Sequence, residues 1–304
     1  DMLSMHWMGM LFIVAVPFFL ADLLTLFGLL FRAWVGRVRL TALTAGLVMV
    51  ILAHIQGFRA PVVDRYDVVL ADLPAELNGT TLVVMADFHA GEMGIGGDWL
   101  IKRVKQVNRL KPDAVLLVGD LFERSSVSAD CIPAMAELTA PMGVWAVRGN
   151  HDRKRLNRRD VAGEILDGAG IPLLENRWAV IADGLVLAGV DDLTMARRRG
   201  GNGIVHLHAA LAQRPRGAVV LLSHTPLLLE EAAASGVDLM LSGHTHNGQI
   251  WPFTYLVKQV YPHISGQGRI GDMTLIVNRG TGTWGPRMRL WKPGEISLIT
   301  LHAD

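Results

Sequence analysis

Five short apolar runs, each broken off at polar residues, constrain this chain more than any other feature. The run 82–86 stops at Asp87-Phe-His89, and 114–118 stops at Gly119-Asp120. The run 144–147 leads into Gly149-Asn150-His151-Asp152, 219–222 into Ser223-His224, and 237–241 into Gly243-His244-Thr-His246. Valine- and leucine-rich runs of this length, without alternation, fit strands covered on both faces. Helical segments are expected between them. Asp98 reads as the cap of a helix whose Leu100, Ile101, Val104, Val107 and Leu110 follow the 3.6 period until Pro112, and 129–138 and 226–235 read as two more. The run 68–70 reads as an edge strand, and 185–188, 274–277 and 296–301 as late strands. The last alternates, as expected in a second sheet with one wetter face. The fold class expected is α/β: a four-layer α-β-β-α sandwich of two stacked mixed sheets flanked by helices. In such sheets ligands collect at the carboxyl ends of strands.

The first 58 residues are different. Hydrophobic residues make up 51% of the chain, and the excess is concentrated here. Residues 11–31 would form a helix of about 31 Å, close to a hydrocarbon core of about 30 Å, and 40–55 a marginal span of about 24 Å. We therefore expect a membrane region at 1–58 with N-terminal transmembrane helices, and one catalytic domain at 59–304. Asp22, inside the first run, is expected to face another helix. Arg32, Arg37 and Arg39 lie between the runs and should stay cytoplasmic under the positive-inside rule. If both runs cross an inner or plasma membrane, the domain then lies on the extracytoplasmic face. A net charge of +1 supplies no basic field, so nucleic acid is not expected as a partner. The single cysteine, Cys131, excludes an internal disulfide and a thiolate metal cage.

The residues at the five strand ends are oxygen and nitrogen donors. Asp87 and His89, two apart on an extended strand end, face one way. Asp120 has two oxygens and can bridge two ions; Asn150 offers a neutral carbonyl oxygen. His224 and the His244/His246 pair complete two shells suited to divalent Mn²⁺, Fe or Zn²⁺. Two ions about 3.5–4 Å apart clamp the attacking and leaving oxygens of a displacement at phosphorus, so phosphate ester hydrolysis is the leading chemistry.

Asp-x-His, Gly-Asp, Gly-Asn-His-Asp, a lone His and Gly-His-x-His, in that order, resemble the calcineurin-like metallophosphoesterases over about 80–300. The segments Gly243-His-Thr-His-Asn-Gly-Gln249 and Asn278-Arg-Gly-Thr-Gly-Thr-Trp284, with the hydrophobic N-terminus, resemble the membrane-associated YkuE/YaeI-type branch; Asn247 stands where that branch has glycine. The resemblance implies Asp87, His89, Asp120 and His246 around one ion, and Asp120, Asn150, His224 and His244 around the other. It also implies that a metal-bridging hydroxide attacks phosphorus while His151, oriented by Asp152, protonates the leaving oxygen, with Glu123 behind the ligands. A related pyrophosphohydrolase of UDP-diacylglucosamine type would instead need a cytoplasmic site. A catalytically silent scaffold is the reading from a different class.

Basic clusters at Arg153-Lys-Arg155 with Arg158-Arg159, and at Arg197-Arg-Arg199, read as solvated surface or as contacts to anionic lipid. The aromatic stretch 250–257 reads as packing or as a wall for a lipid-linked phosphoester. Asp191-Asp192 follows a strand and reads as a turn first, with contact to the site as the alternative.

Overall fold

The computed structural model describes residues 2–91, 95–123, 131–152, 160–198, 200–201 and 203–304. The chain opens with two antiparallel helices, α1 (Met2–Leu24) and α2 (Val35–Phe58). Each is long and apolar enough to cross a membrane by length and composition. The helices do not coincide with the apolar runs. The first begins nine residues before Leu11 and ends at Leu24, because Leu26, Phe27 and Gly28 take left-handed φ values and close a turn over apolar sequence. The second takes in Val35 to Arg39 and so exceeds the marginal length expected. Asp22 meets the other helix, pairing with Arg39 at 2.8 Å.

Next come β1 (Val62–Leu70), β2 (Thr81–Met85), α3 (Gly97–Asn108), β3 (Ala114–Val118), α4 (Cys131–Ala136), β4 (Val144–Val147) and α5 (Val161–Gly168). The second half contributes β5 (Arg177–Ala182), β6 (Leu185–Gly189), α6 (Leu193–Arg198), α7 (Ile204–Leu211), β7 (Ala218–Leu222), α8 (Leu229–Ala234) and β8 (Leu239–Ser242). Last are α9 (Phe253–Val260), β9 (Gly266–Ile270), β10 (Met273–Val277) and β11 (Glu295–Ala303). One sheet has the order β1-β11-β2-β3-β4 and the other β5-β6-β7-β8-β10-β9.

Alternate residues of each central strand serve different layers, as the twofold period of a strand requires. Leu82, Val84, Leu116 and Val118 face Leu187, Val220, Leu222 and Leu241 between the sheets. Val83, Met85, Val115 and Leu117 face α3, α4 and α5 on the outside. On the other flank Val219, Leu221 and Met240 pack on α7 and α8. The result is the four-layer α-β-β-α sandwich.

Three details differ from expectation. The alternating strand β11 lies inside the first sheet, between β1 and β2, rather than in the second. Its polar positions are satisfied internally: Ser297 donates to Glu295 at 2.6 Å and accepts from Asn278 at 2.8 Å. Asp98 lies within the first turn of α3, whose cap position is Gly96. The antiparallel edge strands β5 and β9, exposed or half-buried throughout, add to the strands expected; β9 carries no apolar run, whereas β5 has one at 178–182.

The helical pair docks on the domain. Ile13 and Ala53 are buried with Ile250, Met288 and Leu290, and Arg289 N–H donates to the Ala53 carbonyl at 2.9 Å. Contact is close enough that a Cβ on Gly57 would stand 2.3 Å from the Arg287 carbonyl oxygen. Only glycine fits there.

Candidate metal centre

β2, β3 and β4 run parallel, as do β7 and β8. Their carboxyl ends therefore deliver Asp87 and His89, Asp120, Asn150 and His151, His224, and His244 and His246 to one place. Three triads form there: Asp87/His89/His246, His89/Asp120/His151 and Asp120/His224/His244, each with its ligating atoms within 4.8 Å of one another.

The spacings match a coordination shell. Two donors about 2.0–2.1 Å from one ion at a tetrahedral angle lie about 3.3 Å apart. His89 Nε2 is 3.2 Å from His246 Nε2, which is 3.3 Å from Asp87 Oδ1. His224 Nε2 is 3.2 Å from Asp120 Oδ2 and 3.3 Å from His244 Nδ1. Asp120 Oδ2 also lies 3.9 Å from His89 Nε2, so it stands between the two groups. Asn150 sits between Gly149, whose N–H reaches Asp152, and His151, whose N–H reaches Asp120 Oδ1 at 2.7 Å.

The rear nitrogens of three rings rest on oxygen, which fixes tautomer and orientation. His89 Nδ1 meets Glu123 at 2.7 Å, His224 Nδ1 meets the Val118 carbonyl at 2.8 Å, and His244 Nε2 meets the Tyr261 hydroxyl at 3.0 Å. Asp87 and Asp120 are buried, with imidazoles as their nearest charge partners. Burial would raise Asp87, but His246 and His224 hold it below the usual carboxylate range. Burial would lower His224, but Asp120 and Asp87 push it up to about 10. Burial and the neighbouring His224 push His244 down to about 4. Buried carboxylates and imidazole nitrogens at polyhedron-edge distances are a donor set that fits divalent cations.

Backbone strain is concentrated at these positions. Asp87, His89, Asp120, His244 and His246 all have φ between 49° and 71°, a region sparse for residues other than glycine and frequent at functional sites. Gly149 is required where the turn passes Asp120: a Cβ there would stand 2.1 Å from Asp120 Oδ1. Buried Arg148 anchors that turn through the Asp152 carbonyl at 3.0 Å, Asp160 at 2.7 Å and Glu175 at 2.6 Å.

One expected role changes hands. Asp152 accepts from the N–H groups of Leu121, Phe122 and Gly149, so its oxygens hold the turn together. The carboxylate on His151 Nδ1 is Glu123, at 2.7 Å, shared with His89. Sequence adjacency favoured Asp152, whereas the path of the chain after β3 selects Glu123. Asp192 is buried, accepts from Thr225 at 3.0 Å, and adds negative charge near His224. Trp284 stacks edge-on against His151 at 6.1 Å. Neither Tyr261 nor Arg148 carries a sequence signal that would have singled it out. The cluster 153–159 and Arg199 lie outside the described residues.

The stretch 250–257 divides into a packed part and an exposed part. Ile250 packs in the cluster beneath the helical pair, with Trp251 against it. α9 turns Phe253, Leu256 and Val260, one helical stripe, outward. Phe253 meets Phe12 of α1 at 6.3 Å.

The family model described as calcineurin-like phosphoesterase matches residues 80–248, which include all the donors above. A Danio rerio transmembrane protein with metallophosphoesterase domain is 33% identical over 279 residues, covering 87% of this chain and 63% of that protein. The uncharacterized metallophosphoesterase YkuE of Bacillus subtilis is 27% identical, covering 76% of this chain and 82% of its own. A solved dimetal phosphatase from Danio rerio superposes with a TM-score of 0.44 and 16% identity, over 75% of this chain and 94% of its own. The chain spans about three fifths of the length of the first curated relatives it matches, 63% and 60%.

Proposed function

Since the chain belongs to the calcineurin-like phosphoesterase family, we propose that it is a membrane-anchored phosphoesterase using two divalent ions to hydrolyse a P–O bond. Asp87, His89, Asp120 and His246 would hold one ion, and Asp120, Asn150, His224 and His244 the other. When bound, the ions supply Lewis acidity: they lower the pKa of water and neutralise charge on the phosphoryl oxygens. His151 is the proton donor to the departing oxygen. Its Nδ1 is engaged by Glu123. Burial would lower His151, but the Glu123 hydrogen bond and the Asp120 charge raise it, the direction a general acid needs. The carrying observation is the run of donor spacings of 3.2–3.3 Å among residues from four strand ends.

The substrate proposed is a lipid-linked or cell-envelope phosphoester. Beyond Ile13, residues 14–24 of α1 supply only about 16 Å of helix against a hydrocarbon core of about 30 Å. A bilayer containing the pair therefore reaches back to Phe12, and with it to Phe253 and the outward stripe of α9. On this reading the mouth of the site lies near the lipid surface. Arg32, Arg37 and Arg39 are at the far end of the pair, which supports an extracytoplasmic domain.

The test is hydrolysis of a chromogenic phosphodiester and monoester by the full chain. Activity should require added Mn²⁺, Fe²⁺ or Zn²⁺ and be lost in Asp120→Ala and His244→Ala. Turnover that survives both EDTA and these substitutions contradicts the proposal.

A further inference from the structure

The loop 279–291 has a second face behind the metal centre, with Gly280 between Arg289 and His246. There it forms a narrow crevice with the end of α2 and the start of α3, lined by Gln56, Arg59, Trp99, Thr283, Arg287 and Arg289 among others. No acidic residue lines it among the described residues. Arg103 lies at its edge, its guanidinium 5.7 Å above the Trp99 ring.

Buried polar atoms without a hydrogen-bond partner gather here. They are Nε and Nη1 of Arg289, Nε and Nη1 of Arg103, Oε1 of Gln56 and Oγ1 of Thr283. Arg289 is 1% exposed. Its Nη2 holds the carbonyls of Arg279, Gly280 and Gly282, yet its remaining donors reach nothing. Burial, with Arg279 nearby, pushes Arg289 down to about 10, and burial also lowers Arg287 and Arg103. Burying donors of a cation without partners is costly, and a fold that sets buried Arg289 beside half-buried Arg103 and Arg287, the last over the Phe58 ring, is shaped for an anion.

We propose that this crevice is an oxyanion site, distinct from the metal centre, that takes a phosphate group through Arg103, Arg287 and Arg289. Its interior admits about one water-sized body. A ligand therefore inserts one oxygen and leaves its bulk at the mouth, beside Arg59. Guanidinium groups suit that geometry, since their forked donors match phosphate oxygens. The crevice also closes the domain end of α2, at the level of Gln56 and Gly57. On the membrane reading proposed above, this is where an acidic phospholipid headgroup would lie; free phosphate has the same chemistry. Occupancy would brace the loop that carries Trp284 to His151 and that binds, through Gly282 N–H, the Asp87 carbonyl at 3.0 Å.

The experiment uses the full chain in phosphatidylcholine nanodiscs, with inorganic phosphate titrated by calorimetry and by the change in tryptophan emission that is lost in Trp99→Phe. Binding should persist in His244→Ala with EDTA present. It should weaken about tenfold or more in Arg287→Gln and Arg103→Gln, the scale of losing one charged hydrogen-bond partner. Gln56→Glu, which places a carboxylate before the guanidinium groups, should abolish binding without unfolding the protein. If the lipid is the source, adding phosphatidylglycerol to the nanodiscs should compete with phosphate. Lack of competition, with phosphate still read by the arginines, supports the site with free phosphate as its ligand. Binding that vanishes in His244→Ala but survives the arginine and Gln56 variants would overturn the proposal, as would no response to phosphate or phosphatidylglycerol. Metal-dependent hydrolysis by the same samples is scored separately, so failure of the catalytic reading is distinguishable.

Discussion

Replacing Glu123 by glutamine removes one charge and leaves the shape. Its Oε1 accepts from His89 Nδ1 and His151 Nδ1, each at 2.7 Å. Burial would raise this carboxyl, but the hydrogen bonds from His151 and His89 hold it at about 2, from an ordinary 4.5. That depression corresponds to about 3 kcal/mol, reduced to about 2 kcal/mol once solvent screening of a partly accessible group is allowed for. The folded value is lowered, so this stability is complete above about pH 4.5 and drains away as pH falls toward 2. Urea denaturation of the metal-free chain between pH 3 and 7 should show Glu123→Gln less stable by about 2 kcal/mol near neutrality, with the gap closing in acid. In the metal-loaded enzyme, losing the partner behind His89 should weaken metal affinity about 10- to 100-fold. Without the same carboxylate the pKa of His151 falls, so the alkaline limb of the kcat profile moves to lower pH. A variant with unchanged metal dependence and an unmoved limb would refute the shared-carboxylate reasoning.

Other consequences are equally direct. Tyr261→Phe removes the hydroxyl on His244 Nε2 and should raise the metal concentration needed for half-maximal activity about tenfold. Gly149→Ala must displace Asp120, since the added methyl would lie 2.1 Å from Oδ1; calorimetry should register a loss of about 2 kcal/mol together with loss of activity. Leu256→Asp on the outward stripe of α9 should leave hydrolysis of a soluble diester unchanged and slow hydrolysis of a lipid phosphoester in vesicles. A C-terminal reporter fusion should report the extracytoplasmic face, whereas a cytoplasmic signal would favour the nucleotide-lipid pyrophosphohydrolase reading.

The central sheet strands were legible because both of their faces are covered, so no alternation hides them and polar residues mark their ends. That pattern also supplied the donors, each located just past a strand. β11 misled for the opposite reason. Its polar positions alternate as if wetted, yet Glu295 and Ser297 are satisfied internally by Arg279, Tyr66 and Asn278. β9 escaped notice because its glycines and polar residues form no apolar run, whereas β5 has one at 178–182 that leads to no donor residue. Within the site, chain neighbours were a poor guide to partners. Asp152 follows His151 but turns back to cap three N–H groups, while Glu123 arrives from another strand end. The left-handed φ of five donor residues follows from tertiary constraint and leaves no mark in composition.

The most direct test of the account is elemental analysis of the purified full chain beside Asp120→Asn, since Asp120 stands between both donor groups. The account predicts two divalent ions per wild-type chain, and loss of at least one with loss of hydrolysis in the variant. A wild-type chain that hydrolyses phosphoesters with less than one ion bound, or an Asp120→Asn chain that keeps both ions and full activity, would contradict it.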